Sequence, residues 1–120
     1  MNKVLIVDDA AFMRASLKNM LERNGYEVVG EADNGEIAIK KYQALIPDIV
    51  TMDITMPKMD GIKSLQAIRA INKNANVVVI SAMGKENLVR QAIIHGAKGF
   101  ILKPIKEDHL IKTLDKVQGK

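Results

Sequence analysis

Short, uninterrupted apolar segments alternate with longer amphipathic segments along the whole chain. The apolar segments are rich in β-branched residues and are predicted as strands at residues 3–7, 27–32, 48–52, 76–81 and 99–102. They lack the apolar–polar alternation of a strand with one solvated face, which indicates that both faces of the sheet are buried. This pattern favours a parallel sheet with helices on both sides.

The segments between the strands are predicted as helices, because their apolar residues recur every three or four positions. These segments span residues 11–25, 34–47, 61–72, 85–96 and 106–117. Gly25 and Gly96 are placed to end the first and fourth helices, and the second stops before Pro47. Five successive β/α units with right-handed crossovers predict one α/β domain over residues 1–120, with a doubly wound five-stranded parallel sheet and no second, effector domain.

Composition excludes several classes of function. The chain has no cysteine, so disulfides and thiolate chemistry are excluded. No apolar run approaches the roughly 18 residues of a membrane helix, and the N-terminal run is too short for a signal peptide. We therefore expect a cytoplasmic protein with no membrane insertion. Aromatic residues make up only 3% and no basic block is present, so we expect no direct binding of nucleic acid.

The two halves of the chain differ in charge. Residues 1–61 hold seven Lys and Arg against ten Asp and Glu, a balance of −3, whereas residues 62–120 hold eleven against four, a balance of +7. Solvated helix faces explain such a pattern. The alternative explanation is a basic face that binds an acidic partner.

Polar side chains fall at the carboxyl ends of four predicted strands. Asp8 and Asp9 end the first, Asp53 the third, Ser81 the fourth and Lys103 the fifth. Open α/β sheets bind ligands outside these ends, where the strand order reverses. In the common order 2-1-3-4-5, which is carried over from known folds and not worked out from these residues, the acidic ends are neighbours. Carboxylates so close repel one another, and a divalent cation such as Mg²⁺ would compensate.

These side chains together suit phosphoryl transfer to a carboxylate. Lys103 offers a mobile point charge and Ser81 a small hydroxyl donor. Asp53 is the best nucleophile, because its carboxylate lies between the acid pair and the Ser/Lys pair. Each residue alone has an ordinary explanation, since an Asp-Asp pair is often a turn or a helix cap. Their joint placement is more specific than any one of them.

Four segments resemble the signature segments of bacterial response-regulator receiver domains, namely "VLIVDDAAFMR", "DIVTMDITMPKMDG", "VVVISAMG" and "GAKGFILKP". The resemblance covers nearly the whole chain, from Lys3 to the last predicted helix, and is strongest to the stand-alone chemotaxis type. It implies a flavodoxin-like fold and a stand-alone two-component response regulator. Asp53 would accept a phosphoryl group from a phosphohistidine of a histidine kinase.

The resemblance also implies the metal site. Asp9 would bind Mg²⁺ directly and Asp8 mainly through water, with Mn²⁺ as an alternative ion. Asp53 and the backbone carbonyl of Thr55 would complete the protein ligands. Residues 56–61 are expected to turn the chain away and leave room for the metal and the phosphodonor.

The resemblance further implies a switch and its partners. Ser81 and Lys103 would contact the bound phosphoryl group, Phe100 would turn inward when Ser81 moves, and the peptide between Lys103 and Pro104 is expected to be cis. The phosphorylated form would bind the flagellar motor switch protein or another protein target through residues 85–118. We expect a monomer that is also a substrate of a phosphatase. The protein is expected to catalyse its own phosphorylation and dephosphorylation but not to be an enzyme in any other sense.

Other interpretations remain open. A single-domain phosphorelay protein, for example of the sporulation type, and a receiver cut from a DNA-binding regulator would share this fold. The letters "DIT" at residues 53–55 resemble the nucleophile motif of haloacid-dehalogenase-type phosphatases. That family places the motif on an early strand and usually has a longer chain with a cap, whereas here it follows the third predicted strand, which argues against this class. A flavodoxin-like FMN site needs a hydroxyl-rich phosphate-binding loop after the first strand. This chain has "DDAAFM" there, whose two carboxylates would repel the phosphate unless a metal ion lay between them.

Overall fold

The computed structural model describes residues 2–55 and 61–119. Strands and helices alternate without exception within these ranges. The elements are β1 (Lys3–Val7), α1 (Ala11–Glu22), β2 (Glu27–Ala32), α2 (Gly35–Leu45), β3 (Ile49–Asp53), α3 (Gly61–Ile71), β4 (Val77–Ser81), α4 (Glu86–Ile94), β5 (Gly99–Leu102) and α5 (Glu107–Val117).

The described strands form one parallel sheet in the order β2-β1-β3-β4-β5. The predicted doubly wound sheet and its strand order are therefore confirmed. The order reverses between β1 and β3, so a crevice opens at the carboxyl ends of these two strands. The edge strand β2 pairs with β1, and the register shifts between Val4 and Leu5. Such an irregularity makes the exposed edge of a sheet less suited to pairing with a further strand.

Each face of the sheet carries its own apolar core, because successive side chains of a strand point to opposite faces. Leu5 and Val7 of β1 join the core under α2, α3 and α4, whereas Val4 and Ile6 join the core under α1 and α5. Strands β3 and β4 are buried over their whole length. The unbroken apolar segments of the sequence follow from this burial on both faces.

The ends of several elements differ from the prediction by one to three residues. β3 runs one residue further than predicted and includes Asp53. Helix α1 ends at Glu22, three residues before Gly25, which takes a left-handed backbone conformation. Helix α2 ends at Leu45, and Ile46 takes the left-handed conformation before Pro47. That conformation costs a branched L residue about 1–2 kcal/mol, so no local signal in the sequence predicts it.

The predicted turn over residues 56–61 lies outside the described residues, except for Gly61, which begins α3. In the part of the chain that the structure describes, no helix is long and apolar enough to cross a membrane.

Candidate functional site

The carboxyl ends of β1 and β3 bring three acidic side chains together. Asp8 follows β1 directly and Asp53 is the last residue of β3, and these two strands are hydrogen-bonded neighbours. One carboxylate oxygen from each of Asp8, Asp9 and Asp53 lies within 4.8 Å of the others. The predicted acidic cluster is therefore present.

Asp8 is the most constrained carboxylate of the cluster. It is 1% exposed, and its Oδ1 accepts a hydrogen bond from the backbone N–H of Ala10 at 2.9 Å. Its Oδ2 has no hydrogen bond to any described residue. Burial raises the pKa of Asp8, and the charges of Asp53 and Asp9 raise it further, against the opposing effects of Ala10 and Lys103.

Asp53 is 2% exposed, and its two oxygens have different surroundings. Oδ1 accepts hydrogen bonds from the backbone N–H of Thr55 at 2.9 Å and from its hydroxyl at 2.7 Å. Oδ2 faces the Lys103 Nζ at 3.6 Å and accepts no hydrogen bond within the described ranges. The Thr55 contacts therefore fix the carboxylate through one oxygen and leave the other without a hydrogen bond to a described residue.

Lys103 connects the fifth strand to the acidic cluster. Its Nζ lies 3.7 Å from Asp8 Oδ2 and 3.6 Å from Asp53 Oδ2, so one cation is shared between the two carboxylates. The backbone N–H of Lys103 donates to the carbonyl of Ser81 at 2.9 Å. The peptide between Lys103 and Pro104 is cis, as predicted.

Ser81 and Phe100 lie on the adjacent strands β4 and β5. Ser81 is fully buried and ends β4, and its hydroxyl donates to the carbonyl of Ala82 at 3.1 Å. Phe100 lies on β5 opposite Val79 and is 45% exposed. Its ring is therefore half in solvent and not buried in the core.

The residue type at position 61 is dictated by the close approach of α3 to the end of β3. A Cβ on Gly61 would collide with the carbonyl oxygen of Asp53 and would lie 2.5 Å from the Cα of Ile54. Only glycine allows the helix to begin this close to the strand.

The donor set fits a hard divalent cation. Carboxylate and carbonyl oxygens are the ligands that Mg²⁺ prefers, and it keeps several waters when only a few protein oxygens are available. The buried Asp8 Oδ2, which has no described hydrogen-bond partner, and the repulsion among the three carboxylates are the features that a cation would satisfy. Mn²⁺ accepts the same ligands.

Arg14, in the first turn of α1, also contacts the cluster and was not among the predicted site residues. Its guanidinium donates to the backbone carbonyl of Asp8 at 2.6 Å and to Glu31 Oε1 at 3.0 Å. The sequence does place Arg14 soon after the acidic pair Asp8-Asp9, which could have suggested a contact. Its second partner, Glu31 on β2, could not be inferred because it is 17 residues away in the sequence.

Comparison with known proteins shows the family. Residues 4–115 match the response regulator receiver domain. The chain belongs to this family. The receiver is 54% identical over 115 residues to the chemotaxis protein CheY of Thermotoga maritima and 50% identical over 115 residues to that of Bacillus subtilis, and each alignment covers 96% of both chains.

A solved structure agrees with this result. The receiver superposes with a TM-score of 0.93 on a chain of the CheX–CheY–BeF3–Mg²⁺ complex from Borrelia burgdorferi, at 44% identity, covering 98% of this chain and 90% of that one. The receiver is thus similar in sequence and in fold to chemotaxis response regulators.

Proposed function

We propose that this receiver is a stand-alone two-component response regulator of chemotaxis that is phosphorylated on Asp53 by a histidine kinase. One observation carries the proposal: a nearly buried carboxylate, Asp53, is held between two further carboxylates and the amine of Lys103. The family match and the chemotaxis relatives support the signalling role.

Asp8, Asp9, Asp53 and the backbone carbonyl of Thr55 would hold Mg²⁺, which supplies positive charge to the oxygens of the transferred phosphoryl group. The similar Borrelia burgdorferi complex contains Mg²⁺, which supports this ion as the cofactor.

Asp53 Oδ2 is the proposed nucleophile, because Oδ1 is occupied by the two hydrogen bonds from Thr55. Oδ2 forms the new bond to phosphorus while the phosphorus–nitrogen bond of the donor phosphohistidine breaks, and the bonding pair stays on the imidazole nitrogen. Lys103 Nζ, now shared between Asp8 and Asp53, pairs with a phosphoryl oxygen. The receiver therefore catalyses its own phosphorylation and has no separate substrate to turn over.

Ser81 and Phe100 are the proposed switch. The Ser81 hydroxyl would stop donating its hydrogen bond to the carbonyl of Ala82 and would donate instead to a phosphoryl oxygen, because a charged oxygen is the stronger acceptor. Movement of this segment would open space for the half-exposed Phe100 ring. Because phenylalanine has no hydroxyl, the change would reach a partner through packing alone.

The proposed output face comprises α4, β5 and α5. A cleft of about 480 Å³ lies between β5 and α5, and the side chains that line it include Lys98, Phe100 and Lys116. Basic side chains are exposed across the face, at Lys85, Arg90, Lys98, Lys106 and Lys112. They favour an acidic protein partner, for which the flagellar motor switch is the proposed candidate. The Borrelia burgdorferi relative is crystallised with a second protein, CheX, which supports regulation by protein partners, including a phosphatase.

A phosphotransfer assay tests the proposal. A chemotaxis histidine kinase, labelled on its phosphohistidine, is expected to pass the label to the receiver in the presence of Mg²⁺ and not to Asp53→Asn. Asp33→Asn is the matched control, because Asp33 is an exposed carboxylate just after β2. Label that reaches Asp53→Asn as fast as the wild type would refute the assignment.

A binding assay tests the partner. The phosphorylated receiver is expected to bind a motor switch protein more tightly than the unphosphorylated receiver, with an affinity that falls as salt rises. An affinity that does not depend on salt would contradict the charge argument. Phosphorylation-dependent capture of a histidine phosphotransfer protein, without the motor switch, would instead favour the phosphorelay alternative.

A further inference from the structure

Arg14 lies in a hydrogen-bond network beside the acidic cluster that connects β1, α1, β2 and α2. From the first turn of α1 it donates through NH1 to the backbone carbonyl of Asp8, at the end of β1, and through Nε to Glu31 on β2. The backbone carbonyl of Glu31 accepts from the Lys41 Nζ of α2 at 2.5 Å. The guanidinium side chain is only 17% exposed, so these bonds are partly shielded from water.

These contacts fix the backbone that carries two of the three carboxylates. The N–H of Asp8 donates to the carbonyl of Ala32 at 3.0 Å, and its carbonyl accepts from Arg14, so both of its backbone polar groups are held. The carbonyl of Asp8 and the N–H of Asp9 belong to one planar peptide unit. A bond that orients this carbonyl therefore also orients the start of Asp9.

We propose that Arg14 is a positioning residue for the divalent cation, and that Glu31 holds Arg14 in place for this task. The inference rests on the proposed cation site and identifies Arg14 as a residue that raises the affinity of this site for Mg²⁺. Without Arg14, the peptide between Asp8 and Asp9 can rotate, and the carboxylates must then be ordered when the cation binds. Residues that orient metal ligands typically change metal affinity by about 10- to 100-fold when they are replaced.

A second arginine, at the carboxyl end of α1, provides the matched control. Arg23, just after the last turn of the same helix, makes two hydrogen bonds to Glu107 of α5. Both arginines thus join α1 to a glutamate of another element, but Arg23 has no contact with the acidic cluster. A merely structural role for Arg14 would make the two substitutions equivalent in their effect on Mg²⁺.

The experiment compares Arg14→Met with Arg23→Met in the full chain. The Mg²⁺ dissociation constant is measured by calorimetric titration with MgCl₂, at a temperature where circular dichroism shows each variant to be folded. Arg14→Met is expected to bind Mg²⁺ about 10-fold more weakly, and Arg23→Met like the wild type. Arg14→Lys should fall between the wild type and Arg14→Met, because one ammonium group cannot form both bonds of the fork.

A second readout separates positioning from lost folding. With a small phosphodonor, Arg14→Met should need more Mg²⁺ for half-maximal phosphorylation but should approach the wild-type rate at saturating Mg²⁺. If Arg14→Met does not fold, Glu31→Ala carries the test, with a smaller weakening expected because the bond to Asp8 remains. Equal Mg²⁺ affinity in the wild type and the folded variant would overturn the role of Arg14. A wild type that binds no Mg²⁺ would overturn the cation site itself.

Discussion

Replacing Asp8 by asparagine should stabilise the metal-free protein. The carboxylate oxygens of Asp8, Asp9 and Asp53 lie within 4.8 Å of one another. At an effective dielectric constant of about 20, each of the two repulsions that involve Asp8 costs about 3 kcal/mol, and the attraction to Lys103 at 3.7 Å contributes about 4 kcal/mol. Neutralising Asp8 relieves both repulsions and loses the one attraction, so the expected gain is about 2 kcal/mol.

The sign agrees with the raised pKa of Asp8, whose main cause is burial. A carboxyl group with a raised pKa in the folded state favours the fold when it is protonated. It loses that contribution as the pH rises through the folded-state pKa. Asparagine keeps an oxygen to accept the N–H of Ala10 and adds an amide that can donate towards Asp53.

Thermal unfolding in EDTA and in MgCl₂ measures the effect. In EDTA, Asp8→Asn is expected to unfold about 5–10 °C above the wild type, a shift consistent with about 2 kcal/mol in a chain of this size. At Mg²⁺ about 20-fold above its dissociation constant, the wild type should gain about 2 kcal/mol, and the variant less, since it has lost a ligand. The control Asp33→Asn should change neither value. An Asp8→Asn variant that is less stable than the wild type in EDTA would refute the reasoning.

Three further predictions concern other positions. Thr51 pairs with Ile6 and Val78 in the sheet, and its buried hydroxyl has no described hydrogen-bond partner. Thr51→Val should therefore raise the free energy of unfolding by about 1 kcal/mol in urea titrations, and a loss of stability would contradict this. Hydrogen bonds, of which the one from Arg23 has the largest effect, lower the pKa of Glu107 to about 2. The stabilising contribution of the Glu107 carboxylate should therefore disappear as the pH falls from about 4.5 to about 2. Urea titrations of Glu107→Gln should lack this part of the pH dependence of stability. Met83, two residues after Ser81, is 72% exposed. In Met83→Gln, the amide can hydrogen-bond the water that hydrolyses the aspartyl phosphate, so the lifetime of the phosphorylated form should shorten severalfold. An unchanged rate of loss of a radioactive phosphoryl label would contradict this role.

The fold follows closely from the sequence because burial on both sheet faces leaves a strong, repeated signal. Strands β1, β2 and β5 have the predicted bounds, β3 is shifted by one residue at both ends, and β4 begins one residue later than predicted. The cluster of Asp8, Asp9 and Asp53 was predictable only with the strand order carried over from known folds, because that order makes the first and third strands neighbours whose carboxyl ends meet.

Features that depend on contacts between distant residues were not predictable. The bond from Arg14 to Glu31 joins residues 17 positions apart and appears only when α1 is packed beside β2. The left-handed Ile46, between the end of α2 and Pro47, contradicts the preference of a branched side chain. The different surroundings of the two Asp53 oxygens likewise depend on the turn to Thr55, which residue types alone do not specify.

Phosphorylation of Asp53 is tested most simply by the intact mass of the protein after incubation with a small phosphodonor, such as acetyl phosphate, and Mg²⁺. We predict the addition of one phosphoryl group, stable in acid and labile in base, that requires Mg²⁺ and is absent from Asp53→Asn. The absence of any adduct on the wild type, or an adduct that persists on Asp53→Asn, would contradict the account.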